Sequence, residues 1–217
     1  MGLEQARFNM IEQQIRTWNV LDENVLNLLD QFPREDFVPA EYRNLAYADI
    51  AIPIGHEQVM LHPKHEAHML QALSLHETDK ILEVGTGTGY LTAMLAEAGG
   101  HVFSVDIEPD FITLAEKILQ KHGITNVTLE VGDASRGWSN DTLFDVIVIT
   151  GSLPVLPDSF QNTLNRGGRM FAIVGESPVM EAVLIRRTGN NEYHRESLYE
   201  TDIPMLKNAE QTSRFTF

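Results

Sequence analysis

The residues best placed to do chemistry are Glu83-Val84-Gly85-Thr86-Gly87-Thr88-Gly89-Tyr90, a glycine-rich turn that follows a short apolar run and opens a helical segment. Glycines there admit positive φ and let a ligand come up against backbone amides at a helix start. The spacing bears on which ligand. A dinucleotide fingerprint puts two residues between its second and third glycines, whereas Thr88 alone separates Gly87 from Gly89, and Tyr90 occupies the later position. Glu83 points the same way, because a carboxylate beside the loop repels a pyrophosphate and attracts an ammonium or a sulfonium. S-adenosyl-L-methionine carries both cations and no phosphate. Glu83, Gly85, Thr86, Gly87, Gly89 and Tyr90 are therefore expected to hold it.

Two further carboxylates close the next apolar runs. Asp106 comes about twenty residues after the glycine loop, where a carboxylate accepts hydrogen bonds from both ribose hydroxyls, and Ile107 beside it can cover an adenine face. Gly132-Asp133-Ala134 follows the third run, so Asp133 is expected at the same edge as an acceptor for the adenine amino group, with Ala134 next to it. Taken singly, such an Asp is a cap or an Asx-turn. The succession of three stations is what makes a nucleoside cleft the better reading. His56, His62, His65 and His68 crowd an earlier stretch. Residues three apart drift around a helix instead of stacking, and no carboxylate stands in ligand register, so no metal is expected; His56 and His62 are read as substrate contacts.

These side chains need elements to position them. From Lys80 onward short apolar runs alternate with helical segments in a βαβ rhythm. The pattern predicts strands at Ile81–Val84, His101–Asp106, Val127–Val131, Phe144–Ile149 and Arg169–Val174. Helices fall between them, one ending at Gly99-Gly100, one from Pro109 to Gly123 and one from Pro157 to Leu164. Glu181–Arg187 and Tyr193–Glu200 flank the turn residues Gly189-Asn190-Asn191 and read as a hairpin. The expected fold is α/β, a doubly wound, seven-stranded, mostly parallel sheet with one antiparallel member, which by analogy of fold is closer to methyltransferases than to dehydrogenases.

Ahead of this sheet the chain reads as helical. Phe8, Ile11, Ile15 and Trp18 recur at helical spacing, Asp22 is placed to cap a helix carrying Val25, Leu26, Leu29 and Phe32, and Pro63 opens another with Met69, Leu70 and Leu73. Between Pro33 and Pro63 a long functional loop or a short strand pair is expected. The whole reads as one domain, residues 1–79 forming the helical and substrate-loop region and 80–217 the cofactor-binding sheet.

Composition narrows the partners. Sixteen Lys and Arg against 31 Asp and Glu give a formal net charge of -15, which opposes binding to nucleic acid or an anionic membrane. The absence of cysteine excludes disulfides, thiol nucleophiles and thiolate zinc sites. No apolar run approaches the roughly 20 residues of a membrane helix, and the charged N-terminus lacks a signal-peptide core, so a cytoplasmic location is expected.

Motif by motif, the chain resembles the protein-L-isoaspartate (D-aspartate) O-methyltransferases. Ile81 to Tyr90, Gly132-Asp133-Ala134-Ser135-Arg136-Gly137-Trp138, Phe144 to Thr150 and Leu164 to Arg169 are similar to that family's successive cofactor and strand motifs, with Ala134 in place of a glycine. More specific are Pro33-Arg34-Glu35-Asp36-Phe37-Val38-Pro39, Ala46-Tyr47-Ala48-Asp49, Pro53-Ile54-Gly55 and Gln58, in family order and spacing ahead of the cofactor motif. Ser213-Arg214-Phe215-Thr216-Phe217 resembles the family's terminal strand weakly. The resemblance implies S-adenosylmethionine-dependent methylation of an isoaspartyl carboxylate in damaged peptides or proteins, with Gln58, Leu61 and His62 at the acceptor. One departure stands out: Val59-Met60-Leu61 replaces the family's Thr-Ile-Ser, and Glu57 stands where a glycine is usual. A methyltransferase of the same fold with another acceptor, and a cofactor-binding protein with weak or no catalysis, are the alternatives; a nicotinamide dehydrogenase is disfavoured by the glycine spacing.

Overall fold

The computed structural model describes residues 2–138 and 142–211. The terminal Arg214-Phe215 resemblance lies outside the described residues.

The front of the chain is helical, as its periodicity predicts, but its register shifts. Helix α1 (Leu3–Asn9) runs into a π-helical stretch at Met10–Ile15 and a 3-10 turn at Arg16–Trp18, ending at Asn19 with φ 64°. A π-turn holds more residues than an α-turn. Met10, Ile11 and Ile15 therefore face the core while Phe8 and Trp18, expected on the same stripe, stay exposed. Helix α2 (Glu23–Gln31) starts where expected, the Asp22 carboxylate accepting from the Asn24 amide at 2.9 Å.

Of the two forms allowed for the next stretch, a strand pair is what forms. Strands β1 (Ile52–Gly55) and β2 (Gln58–Met60) make an antiparallel hairpin, preceded by 3-10 turns at Arg34–Asp36 and Ala40–Leu45 that the hydrophobic pattern does not disclose. Helix α3 (Pro63–Leu73) begins at its proline and buries Met69, Leu70 and Leu73.

Seven strands then form one sheet in the order β5-β4-β3-β6-β7-β8-β9. They are β3 (Lys80–Val84), β4 (His101–Asp106), β5 (Val127–Val131), β6 (Phe144–Leu153), β7 (Leu164–Glu176), β8 (Val179–Arg187) and β9 (Tyr193–Thr201). Only β8 opposes the rest, pairing antiparallel with β7 and β9. Helices α4 (Tyr90–Ala98), α5 (Pro109–Lys121) and α6 (Asp158–Asn162) supply the crossovers. Helix α6 is shorter and β7 longer than the periodicity predicts, because Leu164 pairs with Phe144 and so joins the sheet. Alternate residues face opposite layers: Ile81, Val146 and Val148 pack under the N-terminal helices and α4, while Leu82, Ile147 and Ile149 pack toward α6.

This winding positions the site. The chain moves outward from β3 to β4 to β5, then returns to β6 on the other side of β3. Strand order thus reverses between β3 and β6, and a crevice opens at their carboxyl ends, where open α/β sheets bind ligands. Among the described residues no helix is long and apolar enough to cross a membrane.

Candidate cofactor and acceptor cleft

Glu83 forms the floor of that crevice. It is fully buried, and its Oε2 accepts from the Thr92 hydroxyl on α4 at 2.5 Å and from Ser104, its neighbour on β4, at 2.6 Å. Its Oε1 is buried without a hydrogen-bond partner. Burial pushes the carboxyl up to about 8 against the pull of the two hydroxyls, with Asp106 and Glu66 adding to the rise. A buried acceptor left open in this way fits a donor brought by a ligand.

The glycine loop wraps over it. Gly85 has φ 98°, and a Cβ there would fall 2.1 Å from the Thr150 hydroxyl. That hydroxyl reaches from β6 to the carbonyls of Val84 and Gly85, at 3.0 Å each, and braces the turn. Thr86 shares a 2.7 Å hydrogen bond with Ser104. The Gly87 amide donates to Asp106 Oδ2 at 2.9 Å and the Glu108 amide to Asp106 Oδ1 at 3.0 Å. Each carboxylate oxygen keeps a lone pair in reserve, which is what two vicinal hydroxyls require. Burial raises the Asp106 carboxyl despite those amides.

Ile107, Asp133 and Ala134 line the same cleft. Asp133 is engaged more fully than its sequence position implies: Oδ1 accepts from the Ser135 amide at 2.9 Å, Oδ2 from Asn208 Nδ2 at 2.8 Å. Partial burial works to raise its carboxyl, and these bonds outweigh it, so the net shift is downward. Asn208 belongs to the segment after β9, tied to β6 by the Ser152 and Leu206 amides, and Pro204, Leu206 and Lys207 of that segment line the cleft.

The opposite wall is the hairpin. Gln58, Val59 and Leu61 face the cleft, Leu61 nearly buried. Behind Leu61 stands a buried ion pair. Arg34, with no exposed surface, reaches Glu66 through Nη1 and the Leu61 carbonyl through Nη2. Its Nε is buried and unpartnered. Burial lifts Glu66 to about 7 even beside the guanidinium. Tyr90 completes this packing, its ring 5.1 Å from Phe37 edge-on and 5.0 Å from the Arg34 guanidinium.

A family profile for protein-L-isoaspartate(D-aspartate) O-methyltransferase matches residues 5–209. A protein-L-isoaspartate O-methyltransferase of Koribacter versatilis is 36% identical over 208 residues, covering 95% of this chain and 93% of that one. One of Methanoculleus marisnigri is 37% identical over 187 residues, covering 86% and 85%. The chain belongs to the protein-L-isoaspartate (D-aspartate) O-methyltransferase family. The fold agrees: a Plasmodium falciparum crystal structure described as a beta-aspartate methyltransferase in complex with S-adenosyl-L-homocysteine superposes with a TM-score of 0.77 at 18% identity, covering 92% of this chain and 97% of that one.

Within this family member the residues read as a cofactor site from the sequence line one crevice with the exception of Gly89, whose close neighbours are Ala115 and Leu119 of α5, where the missing side chain lets the two helices approach; of the three acceptor residues two line the crevice. Gln58 and Leu61 line the cleft. His62 is not among its lining residues, its Nδ1 lying 3.1 Å from Asp49, which also holds Lys64. The other histidines part company. His65 stacks on Tyr199, His68 lies 5.0 Å from the same ring, and His56 turns toward α5. Among the described residues no three His, Cys, Asp or Glu side chains form a group that could hold a metal ion. Arg34, Glu66, Ser104, Lys207 and Asn208 were not singled out as site residues. Arg34 sits inside a family-specific motif, but nothing local separates it from a surface arginine.

Proposed function

We propose that this chain is an S-adenosylmethionine-dependent protein carboxyl O-methyltransferase acting on L-isoaspartyl residues of damaged proteins. The observation that carries the cofactor is the unpartnered Oε1 of Glu83 at the floor of a crevice rimmed by the Gly85 loop and Asp106. Family membership extending through the hairpin, and not only through the sheet, carries the acceptor. A cytoplasmic setting and no nucleic-acid partner accord with the cysteine-free, acidic composition.

When bound, the cofactor supplies a methyl whose bond to the sulfonium breaks toward sulfur as a bond to the acceptor oxygen forms. The chain's work is then positional. An isoaspartyl carboxylate is ionised at neutral pH, so no general base is needed. Glu83 and Asp106 orient the two ends of the cofactor, while Gln58 and the hairpin backbone line up the carboxylate. Leu61 excludes water from the nucleophile. The test is base-labile methyl transfer to an isoaspartyl peptide beside its aspartyl isomer: selective labelling of the first supports the reading, and labelling of neither refutes it.

Glu83 makes binding pH-dependent. Burial holds the carboxyl protonated in the free protein up to about 8, well above the usual carboxylate range; the stability this group gives the free fold is therefore full only below the unfolded-chain value of 4.5 and is lost progressively as pH rises from there through about 8. The ammonium of S-adenosylhomocysteine favours the ionised form, so its affinity is expected to rise between pH 6 and 8 with release of a proton. Glu83→Gln should flatten that slope and weaken binding by roughly 1.5–3 kcal/mol. Calorimetry at pH 7 in buffers of different ionisation heat measures the proton; none released in the parent would contradict the assignment.

A second reading, weakened or redirected acceptor chemistry, is favoured by Val59 and Leu61 lining the cleft without hydroxyls. One lost donor to a carboxylate lowers turnover or affinity by about ten- to a hundredfold. Val59→Thr with Leu61→Ser is expected to raise isoaspartyl methylation about tenfold. A parent already fast, with no gain in the double variant, removes this second reading.

A further inference from the structure

The body of the hairpin meets the glycine loop through Met60, whose sulfur lies 3.9 Å from the Thr88 hydroxyl, and its tip is fastened to the start of α5 by the side chain of His56. Gly55, His56 and Glu57 take φ of 99°, 51° and 60°, the left-handed values that a two-residue connection demands and that His and Glu adopt only at a conformational cost. That backbone aims His56 at the start of α5. Its Nδ1 lies 3.2 Å from Glu108 Oε2 and its Nε2 3.3 Å from Asp110 Oδ2, and its ring meets Phe111 edge-on at 5.2 Å.

Glu108 is the node. Its other carboxylate oxygen takes Lys207 from the segment after β9, and its amide donates to Asp106. Hairpin, carboxyl-terminal segment and the Asp106 station thus meet at one residue, and Ile54, Asp106, Glu108, Phe111 and Lys207 all line the cleft. A ligand reaching from Glu83 past Gly87 to Asp106 would lie beneath that junction.

We propose that His56 is a positioning residue that clasps the acceptor hairpin to α5 over the cofactor cleft, so that cofactor product leaves only when the clasp opens. The proposal rests on the methyltransferase reading for its ligand, but the clasp itself is a contact of the free protein. The two contacts are ion pairs when the imidazole is protonated, and Asp110 is largely exposed, so the effect is moderate and screened by salt.

The variants are His56→Ala and His56→Asn, the second because asparagine tolerates left-handed φ and so preserves the turn while removing the ion pairs. Both should speed S-adenosylhomocysteine dissociation by about three- to tenfold with little change in association. Added salt should speed dissociation in the parent and not in either variant. Hydrogen exchange at the amides of residues 52–60 should quicken in both variants with and without ligand, and the peptide KM should rise more than kcat falls. Unchanged dissociation and unchanged exchange in His56→Asn overturn the proposal, as does an effect confined to His56→Ala, which would make His56 a turn residue only. If the parent failed to bind S-adenosylhomocysteine, the cofactor reading would fall, and exchange in the ligand-free protein would still decide whether the clasp exists.

Discussion

Arg34→Met is expected to destabilise the fold by about 3–5 kcal/mol, the usual consequence of removing one partner from a buried ion pair. Arg34 is wholly buried, and the substitution strands two groups: the Glu66 carboxylate and the Leu61 carbonyl. Glu66 already titrates near 7 beside the guanidinium because of burial. Without Arg34 it takes up a proton more readily, so the deficit should shrink as pH falls and grow above neutrality. Arg34→Met combined with Glu66→Leu restores an apolar pairing of similar volume and should recover most of the stability. Acceptor binding should not recover with it, because the Leu61 carbonyl is no longer held at the cleft. Denaturant melts of the three variants and peptide KM values check both halves. A loss below about 1 kcal/mol in the single variant, or no recovery in the double, would show that the pair is not what the geometry makes it.

Asp106→Ala is expected to weaken S-adenosylhomocysteine binding by about 2–4 kcal/mol, since two charge-assisted hydrogen bonds to ribose go together. The loss has a second component here. Asp106 also receives the Gly87 and Glu108 amides, so the alanine loosens the glycine loop and the head of α5 as well. Asp106→Asn keeps one acceptor oxygen and turns an amino group toward the other donor, and should fall between alanine and the parent. Calorimetry on the three proteins orders them; an unchanged affinity in the alanine variant would remove Asp106 from the site.

Much of this cleft could be read before folding because it is built from local patterns repeated along the chain. Glu83 to Tyr90, Asp106 and Asp133 each follow an apolar run, and the parallel winding that such runs imply brings all their carboxyl ends to one edge. The hairpin β8–β9 was legible for the same reason, its turn residues lying between two alternating runs. Departures occur where a partner distant in sequence decides. The π-helical turn at Met10–Ile15 rotates Trp18 out of the core, which no 3.6-residue period foretells. Asn208 reaches Asp133 across 75 positions.

By itself, then, the sequence determined the glycine turn, the carboxylate after each strand and the helical front, because each is a matter of residue type and short-range periodicity. Only the tertiary structure decided that Arg34 is buried behind Leu61, that His62 turns to Asp49 and His56 to Glu108, and that one oxygen of Glu83 is left open. Burial and hydrogen-bond partnership belong to the packed whole. A charged side chain carries no local mark of whether it will face water, a counter-charge or a ligand, since that depends on which distant elements close over it.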